Sequence, residues 1–93
     1  MESIYIVSTK QYANKGMFKV GRTTHNMTVL REFKVEDSKF MEEYLHSSLE
    51  RLLMNGFYRC PYNLLEETIA SIIERNNKII ELVNQIAKIN SSK

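Results

Sequence analysis

Disulfides are the first thing this chain cannot build. Cys60 is its only cysteine, so no internal bridge forms and a reducing compartment, cytosol or nucleus, is expected. With His25 and His46 as the only histidines, soft ligands are too few for a structural zinc site. Long apolar runs are missing as well, and nothing approaches the ~20 residues of a membrane-spanning helix. The start, MESIYIV, carries Glu2 and no basic stretch, which speaks against a signal peptide. Three glycines and one proline leave little punctuation, and there is no linker, repeat or low-complexity segment. Neither sign of charge dominates: the net charge is +2 and the pI about 8.7, which permits an anionic partner without demanding one.

What is present describes one small folded domain. Hydrophobic residues make up 43% and charged residues 26%, the balance of a globular chain. A core built from 93 residues is thin, so a docked helix or self-association would add to it.

Ile4, Ile6 and Val7 around Tyr5 predict a strand at about residues 3–8. TKQYANKG is read as a polar loop ending in the turn signal Asn14-Lys15-Gly16, and Met17 to Gly21 as a second strand. The two-residue period then lets Tyr5 and Lys19 point the same way. Thr28 to Val35 reads as a third strand with rows Val29/Arg31/Phe33/Val35 and Leu30/Glu32/Lys34; a short helix through Leu30 to Phe33 is the competing assignment. Asp37 or Ser38 caps a helix whose stripe is Met41, Leu45, Leu49, Leu52 and Leu53, with Asn55-Gly56 as its left-handed stop. Phe57 to Cys60 is a short strand closed by Pro61, and Asn63 with Glu66 resembles a capping box.

From Leu64 the chain reads as helix to about Asn90, with no glycine or proline. Leu65, Ile69, Ile72, Asn76, Ile79, Val83 and Ile86 step alternately by four and three, a heptad seam with one polar member. Ile73, Ile80, Leu82 and Ile89 widen that stripe. The first half is expected to pack on the sheet and the second on another copy of the chain, as a homodimeric coiled coil or higher oligomer. The alternatives are that Ile79 to Ile89 fold back on their own domain or begin a longer coiled coil. The Ser91-Ser92-Lys93 end is expected to fray. The predicted class is α+β: a three-stranded antiparallel sheet plus a short fourth strand, a packed helix and a long C-terminal helix. Residues 1–62 form the core and residues 63–93 the long helix, partly core and partly oligomerisation.

Four motifs in order carry a family resemblance: Ser3-Ile4-Tyr5, then Lys19-Val20-Gly21-Arg22-Thr23, then Glu42 with Leu45-His46, then Gly56-Phe57-Tyr58. Together they resemble the GIY-YIG endonuclease superfamily over about residues 3–60. The similarity is greatest to the branch of phages and large DNA viruses, whose second motif reads Lys-Ile-Gly-Arg-Thr. The resemblance implies metal-dependent hydrolysis of a DNA phosphodiester with one Mg²⁺ or Mn²⁺. Carried onto this chain, it implies Tyr5 helping to activate a water, Lys19 supporting it, Arg22 or Arg31 steadying the phosphate, and Glu42 holding the metal.

Those roles make chemical sense. A phenol with a pKa of roughly 10 is a poor base unless a neighbouring cation favours phenolate. Arginine offers a planar fork of donors to phosphate. Mg²⁺ keeps most of its waters and needs only one or two carboxylates. His46 lies one turn from Glu42 on the same helical face and is a candidate second proton carrier. Phe57 and Tyr58 are read as core and sheet residues.

The chain also departs from the family pattern. The second-motif tyrosine is replaced in Phe18-Lys19-Val20-Gly21, although lysine occurs there in the viral branch. The helix that normally follows this glycine and carries the arginine has no room before the Thr28–Val35 run, and the later asparagine has no match. Two function classes follow: a small metal-dependent endonuclease, or a degenerate module that oligomerises as a nucleic-acid-binding or protein-interaction scaffold. Lys10, Lys15, Lys19, Arg22 and Lys34 crowd the N-terminal half, so a DNA contact would use the hairpin side.

Overall fold

The computed structural model describes residues 1–91, and side chains as far as Ile89. The Ser92-Lys93 end, where fraying is expected, lies outside them. The class is α+β. Five antiparallel strands form one sheet: β1 (Glu2–Ser8), β2 (Met17–Gly21), β3 (Thr28–Val35), β4 (Leu53–Met54) and β5 (Phe57–Arg59), in the order β3-β1-β2-β5-β4. Three α-helices accompany it: α1 (Lys10–Asn14), α2 (Ser38–Ser48) and α3 (Tyr62–Ser91).

The fifth strand corrects the sequence expectation, and its origin is the Asn55-Gly56 pair. Both residues are left-handed, with φ of 53° and 84°. That pattern ends a helix, but it also makes the two-residue turn whose twist suits a hairpin. Here α2 has already stopped at Ser48, a 3-10 turn spans Glu50–Leu52, and Asn55-Gly56 joins β4 to β5 with Met54 opposite Phe57. Residues 9–16 also differ from the expected loop. The Thr9 hydroxyl accepts the Tyr12 N–H at 3.2 Å and caps the short α1. Gly16, at φ 70°, closes it.

The third run is a strand over all of Thr28–Val35, which settles the strand–helix alternative. Ile6 pairs with Arg31 and Val7 with Val29, leaving Leu30 as the extra residue of a bulge. Asp37 caps α2 through Oδ1, which accepts the Phe40 N–H at 3.1 Å. Glu2 ties the same helix start to β1: one carboxylate oxygen accepts the Ser38 N–H and hydroxyl, each at 2.7 Å. Those hydrogen bonds hold the Glu2 carboxyl below its ordinary range.

One face of the sheet carries the core. Ile4, Ile6, Phe18, Val20, Phe33, Val35 and Tyr58 pack with Met41, Leu45 and Leu49 and with Leu65, Ile69 and Ile73 of α3. The last helix begins at Tyr62, so Asn63 lies inside it and no capping box forms; Glu66 instead accepts the Tyr62 hydroxyl at 2.7 Å. Ile73 is its last core residue, Asn76 and Ile80 still line a cleft with Phe40 and Met41, and Ile79, Val83, Ile86 and Ile89 are each more than half exposed. The radius of gyration is 15.4 Å, against about 12 Å for a compact chain of this length. Among the described residues, no helix is long and apolar enough to cross a membrane.

Candidate functional site

The face of the sheet opposite the core carries the polar residues. Opposed residues in an antiparallel pair project to the same side. Tyr5 sits between Gly21 on β2 and Glu32 on β3, and Val7 lies opposite Lys19. Tyr5 and Lys19 are therefore diagonal neighbours on one face. Lys19 leans towards β5, with Nζ 5.0 Å from the centre of the Phe57 ring, and that ring packs on Tyr12 at 4.5 Å.

Glu42 reaches this face from the other side of the sheet edge. Strand β5 pairs with β2 only at Met17 and Phe18. Past that point the β2 edge would be left with open backbone groups, and α2 supplies their partners. His46 Nε2 donates to the Val20 carbonyl at 2.8 Å, and Glu42 Oε2 accepts the Arg22 N–H at 2.9 Å. A carbonyl only accepts, so His46 must carry its proton on Nε2. The i, i+4 spacing of Glu42 and His46 matches the alternation of β2 and lets two side chains stand in for a missing strand.

The same carboxylate lies in the space that Gly21 leaves open. A Cβ placed on Gly21 would meet Glu42 Oε2 at 2.7 Å. That Cβ would project to the Tyr5 face, because Tyr5 and Gly21 are directly opposed. The phenol and the carboxylate thus flank one glycine on a common side of the β-ribbon. Arg22 closes the group, with Nε 3.6 Å from Glu42 Oε1 and its side chain 47% exposed.

Arg31 is not brought to this group. It lies opposite Ile6 on the core face, with its guanidinium 4.9 Å from the Phe33 ring centre, in an open groove beside α3. Residues 22–27 between β2 and β3 form a loop without a helix. Its turn uses two left-handed residues, His25 and Asn26, and closes with a 2.8 Å bond from the Met27 N–H to the Thr24 carbonyl. His46 is spent on the Val20 carbonyl.

Three residues join Tyr5: Ser3 of the first motif, Lys34 of the basic set, and Glu32, which sequence reasoning did not single out. Ser3 Oγ donates to Glu32 at 2.5 Å, and Lys34 Nζ lies 2.8 Å from the same carboxylate. Lys34 and Ser3 hold the Glu32 carboxyl below its ordinary range, and Glu32 raises Lys34. The alternating row Leu30/Glu32/Lys34 was legible, but only the β1–β3 register puts it beside Tyr5.

Tyr58 carries a polar atom that the core does not satisfy. Its hydroxyl is buried and has no hydrogen-bond partner among the described residues. Burial pushes its pKa up to about 12, with the nearby Glu42 charge as the second cause.

No three His, Cys, Asp or Glu side chains among the described residues group to hold a metal ion. The donor set fits only a cation that retains most of its water, held through Glu42, since that carboxylate keeps lone pairs beyond those facing Arg22. No family model, curated protein or solved structure matches the chain.

Proposed function

We propose that the Tyr5–Gly21–Glu42 group is a phosphodiester-handling site, and that the protein is a small GIY-YIG-like nuclease acting on DNA inside the cell, in the cytosol or nucleus. The observation that carries this reading is the position of Glu42 Oε2 on the Tyr5 side of Gly21. A bound Mg²⁺ or Mn²⁺ at Glu42 would supply an activated water and charge neutralisation. Tyr5, on the same side of Gly21 as Glu42, would orient that water and accept its proton. Lys19, a diagonal neighbour of Tyr5 on the same face, adds a cation for the phosphate. Arg22 is exposed enough to turn from Glu42 to a phosphate oxygen, and its fork suits that task. Lys34 lies on the same face, paired there with Glu32.

Incubating the chain with single- and double-stranded DNA and RNA, with Mg²⁺ or Mn²⁺, tests the proposal. Metal-dependent nicking is expected, and Glu42→Ala should abolish it while Tyr5→Phe lowers it about 10²-fold or more. No cleavage of any of these substrates by the intact chain removes the enzymatic reading.

A second reading has its own support. Both oxygens of Glu42 already face Arg22, and Arg31 lies on the other face of the sheet. These are the marks of a site turned to structure, and they favour a non-cleaving scaffold that binds nucleic acid or a protein partner. Salt-dependent DNA binding without cleavage, weakened by Lys34→Ala, would support the nucleic-acid form of it. In either reading the exposed half of α3 supports self-association as a homo-oligomer.

A further inference from the structure

The aromatic rings of this sheet divide between its two faces. Phe18, Phe33 and Tyr58 belong to the core. Tyr58 opposes Phe18 there, so its neighbours Phe57 and Arg59 project to the polar face, where Arg59 stands opposite Met17. Tyr5, Phe57 and Tyr12 of α1 are each half-buried. Tyr12 packs on Phe57 with ring centres 4.5 Å apart, and Lys19 Nζ lies 5.0 Å from the centre of the Phe57 ring. Lys19 is in turn the diagonal neighbour of Tyr5. Tyr12, Phe57, Lys19 and Tyr5 therefore run as one line across the polar face and end at the candidate site. The charges along it are uneven. Glu42 and Glu32 are each paired with a cation, Arg22 and Lys34. Among the described residues Lys19 and Arg59 have no carboxylate partner, nor have Lys10 and Lys15 at the two ends of α1.

Resting on the phosphodiester reading of that site, we propose that the line is a track for single-stranded nucleic acid. An unpaired base stacks on Tyr12, with Phe57 as its backing, and the strand runs over Lys19 to the Tyr5–Gly21–Glu42 group. Lys10, Lys15 and Arg59 hold the phosphates beside it. Aromatic rings and unpaired cations along one line are the two elements of a single-strand surface, because every base has a face to stack and every nucleotide a phosphate. A duplex matches the cations alone. Its base faces are covered by neighbouring pairs, and it offers this surface only phosphates and groove edges. The helices are also placed away from a groove contact: α2 and α3 pack on the core side, and α1 has five residues. An acidic peptide would likewise use the cations and leave the rings unused.

Fluorescence anisotropy with a labelled oligothymidine, its duplex with oligoadenine and an abasic strand of equal length tests the proposal, with EDTA present so that cleavage does not enter. The oligothymidine should bind about tenfold more tightly than the duplex or the abasic strand. Tyr12→Leu, which keeps an apolar contact on Phe57, should weaken oligothymidine binding about tenfold and leave duplex binding unchanged. Tyr12→Phe, which keeps the ring, should bind as the unmodified chain does. Equal affinity for the abasic strand, or displacement of oligothymidine by polyglutamate of equal charge, overturns the track and leaves only a basic patch. No binding of oligothymidine overturns it as well. Nicking confined to duplex DNA and unchanged in Tyr12→Leu keeps the nuclease reading and removes this one. Selective single-strand binding without nicking, once Mg²⁺ replaces EDTA, does the reverse.

Discussion

Two regions of this small protein treat their side chains in opposite ways. At the β2 edge, polar groups from α2 turn inward to satisfy backbone that no strand covers: His46 takes the Val20 carbonyl and Glu42 the Arg22 N–H. At the far half of α3, apolar groups turn outward: Ile79, Val83, Ile86 and Ile89 are each more than half exposed among the described residues. Both are places where the domain is too small to finish its own structure. The edge completes itself with two side chains one helical turn apart. The helix cannot do so, because an apolar face is satisfied only by area and this chain has no more area to offer it. The polar repair also brings Glu42 to the Tyr5 face, so the element that closes the sheet builds the candidate site.

The contrast breaks most visibly in stability. Ile69 is fully buried, and Ile69→Ala should cost about 2–5 kcal/mol in chemical unfolding. Ile86→Ala, on the exposed ridge, should change the unfolding of the monomer by no more than about 0.5 kcal/mol. A large Ile86→Ala effect that does not depend on protein concentration would place the ridge inside the domain. Next in size is the edge repair. Glu42→Ala removes a charged acceptor from a backbone N–H and should cost about 1–3 kcal/mol even without substrate. Glu42→Ala at wild-type stability would mean that the carboxylate serves chemistry alone.

The smallest effect sharpens the role of Tyr58. Because its hydroxyl is buried without a partner, Tyr58→Phe should leave stability at neutral pH unchanged or raise it by up to ~1 kcal/mol. Its alkaline behaviour has a definite sign. The folded pKa, about 12, lies above the ordinary value of 10, so below pH 10 the group is protonated in both states and stability does not change with its titration. Between pH 10 and 12 the unfolded chain loses the proton while the folded chain keeps it, and stability falls as pH rises. Tyr58→Phe should reduce that slope in thermal melts over the same range. Tyr62, also raised to about 12 by burial and by Glu66, keeps part of it.

How far local pattern can be trusted varies along the chain. The β3 run was read as a strand from Thr28, Val29, Phe33 and Val35, but the helix alternative through Leu30 to Phe33 was excluded only by its pairing with β1. Asp37 was a legible cap because a short acceptor before an amphipathic run has few other uses. Asn55-Gly56 misled because its left-handed geometry serves a helix end and a hairpin turn equally, and only the β4–β5 pairing selects one. The heptad spacing marked α3 as longer than its domain, but it could not tell which face the domain itself would use. Asn76, read there as a seam residue, is turned to the α2 side. The resemblance named Tyr5, Lys19 and Glu42 as candidates, and the strand period gave Tyr5 and Lys19 the common face that the β1–β2 register has. That Ser3, Glu32 and Lys34 gather beside Tyr5 was not legible, since register between strands far apart in sequence leaves no local mark.

By itself the sequence determined the strands β1, β2, β3 and β5 and the long last helix, because those depend on residue period and intrinsic preference over a few neighbours. Only the tertiary structure decided that Glu42 shares a face with Tyr5, that Arg31 does not, and that Ile79 to Ile89 remain uncovered. Those outcomes follow from the short reach of β5 along β2 and from how much of α3 so small a sheet can cover.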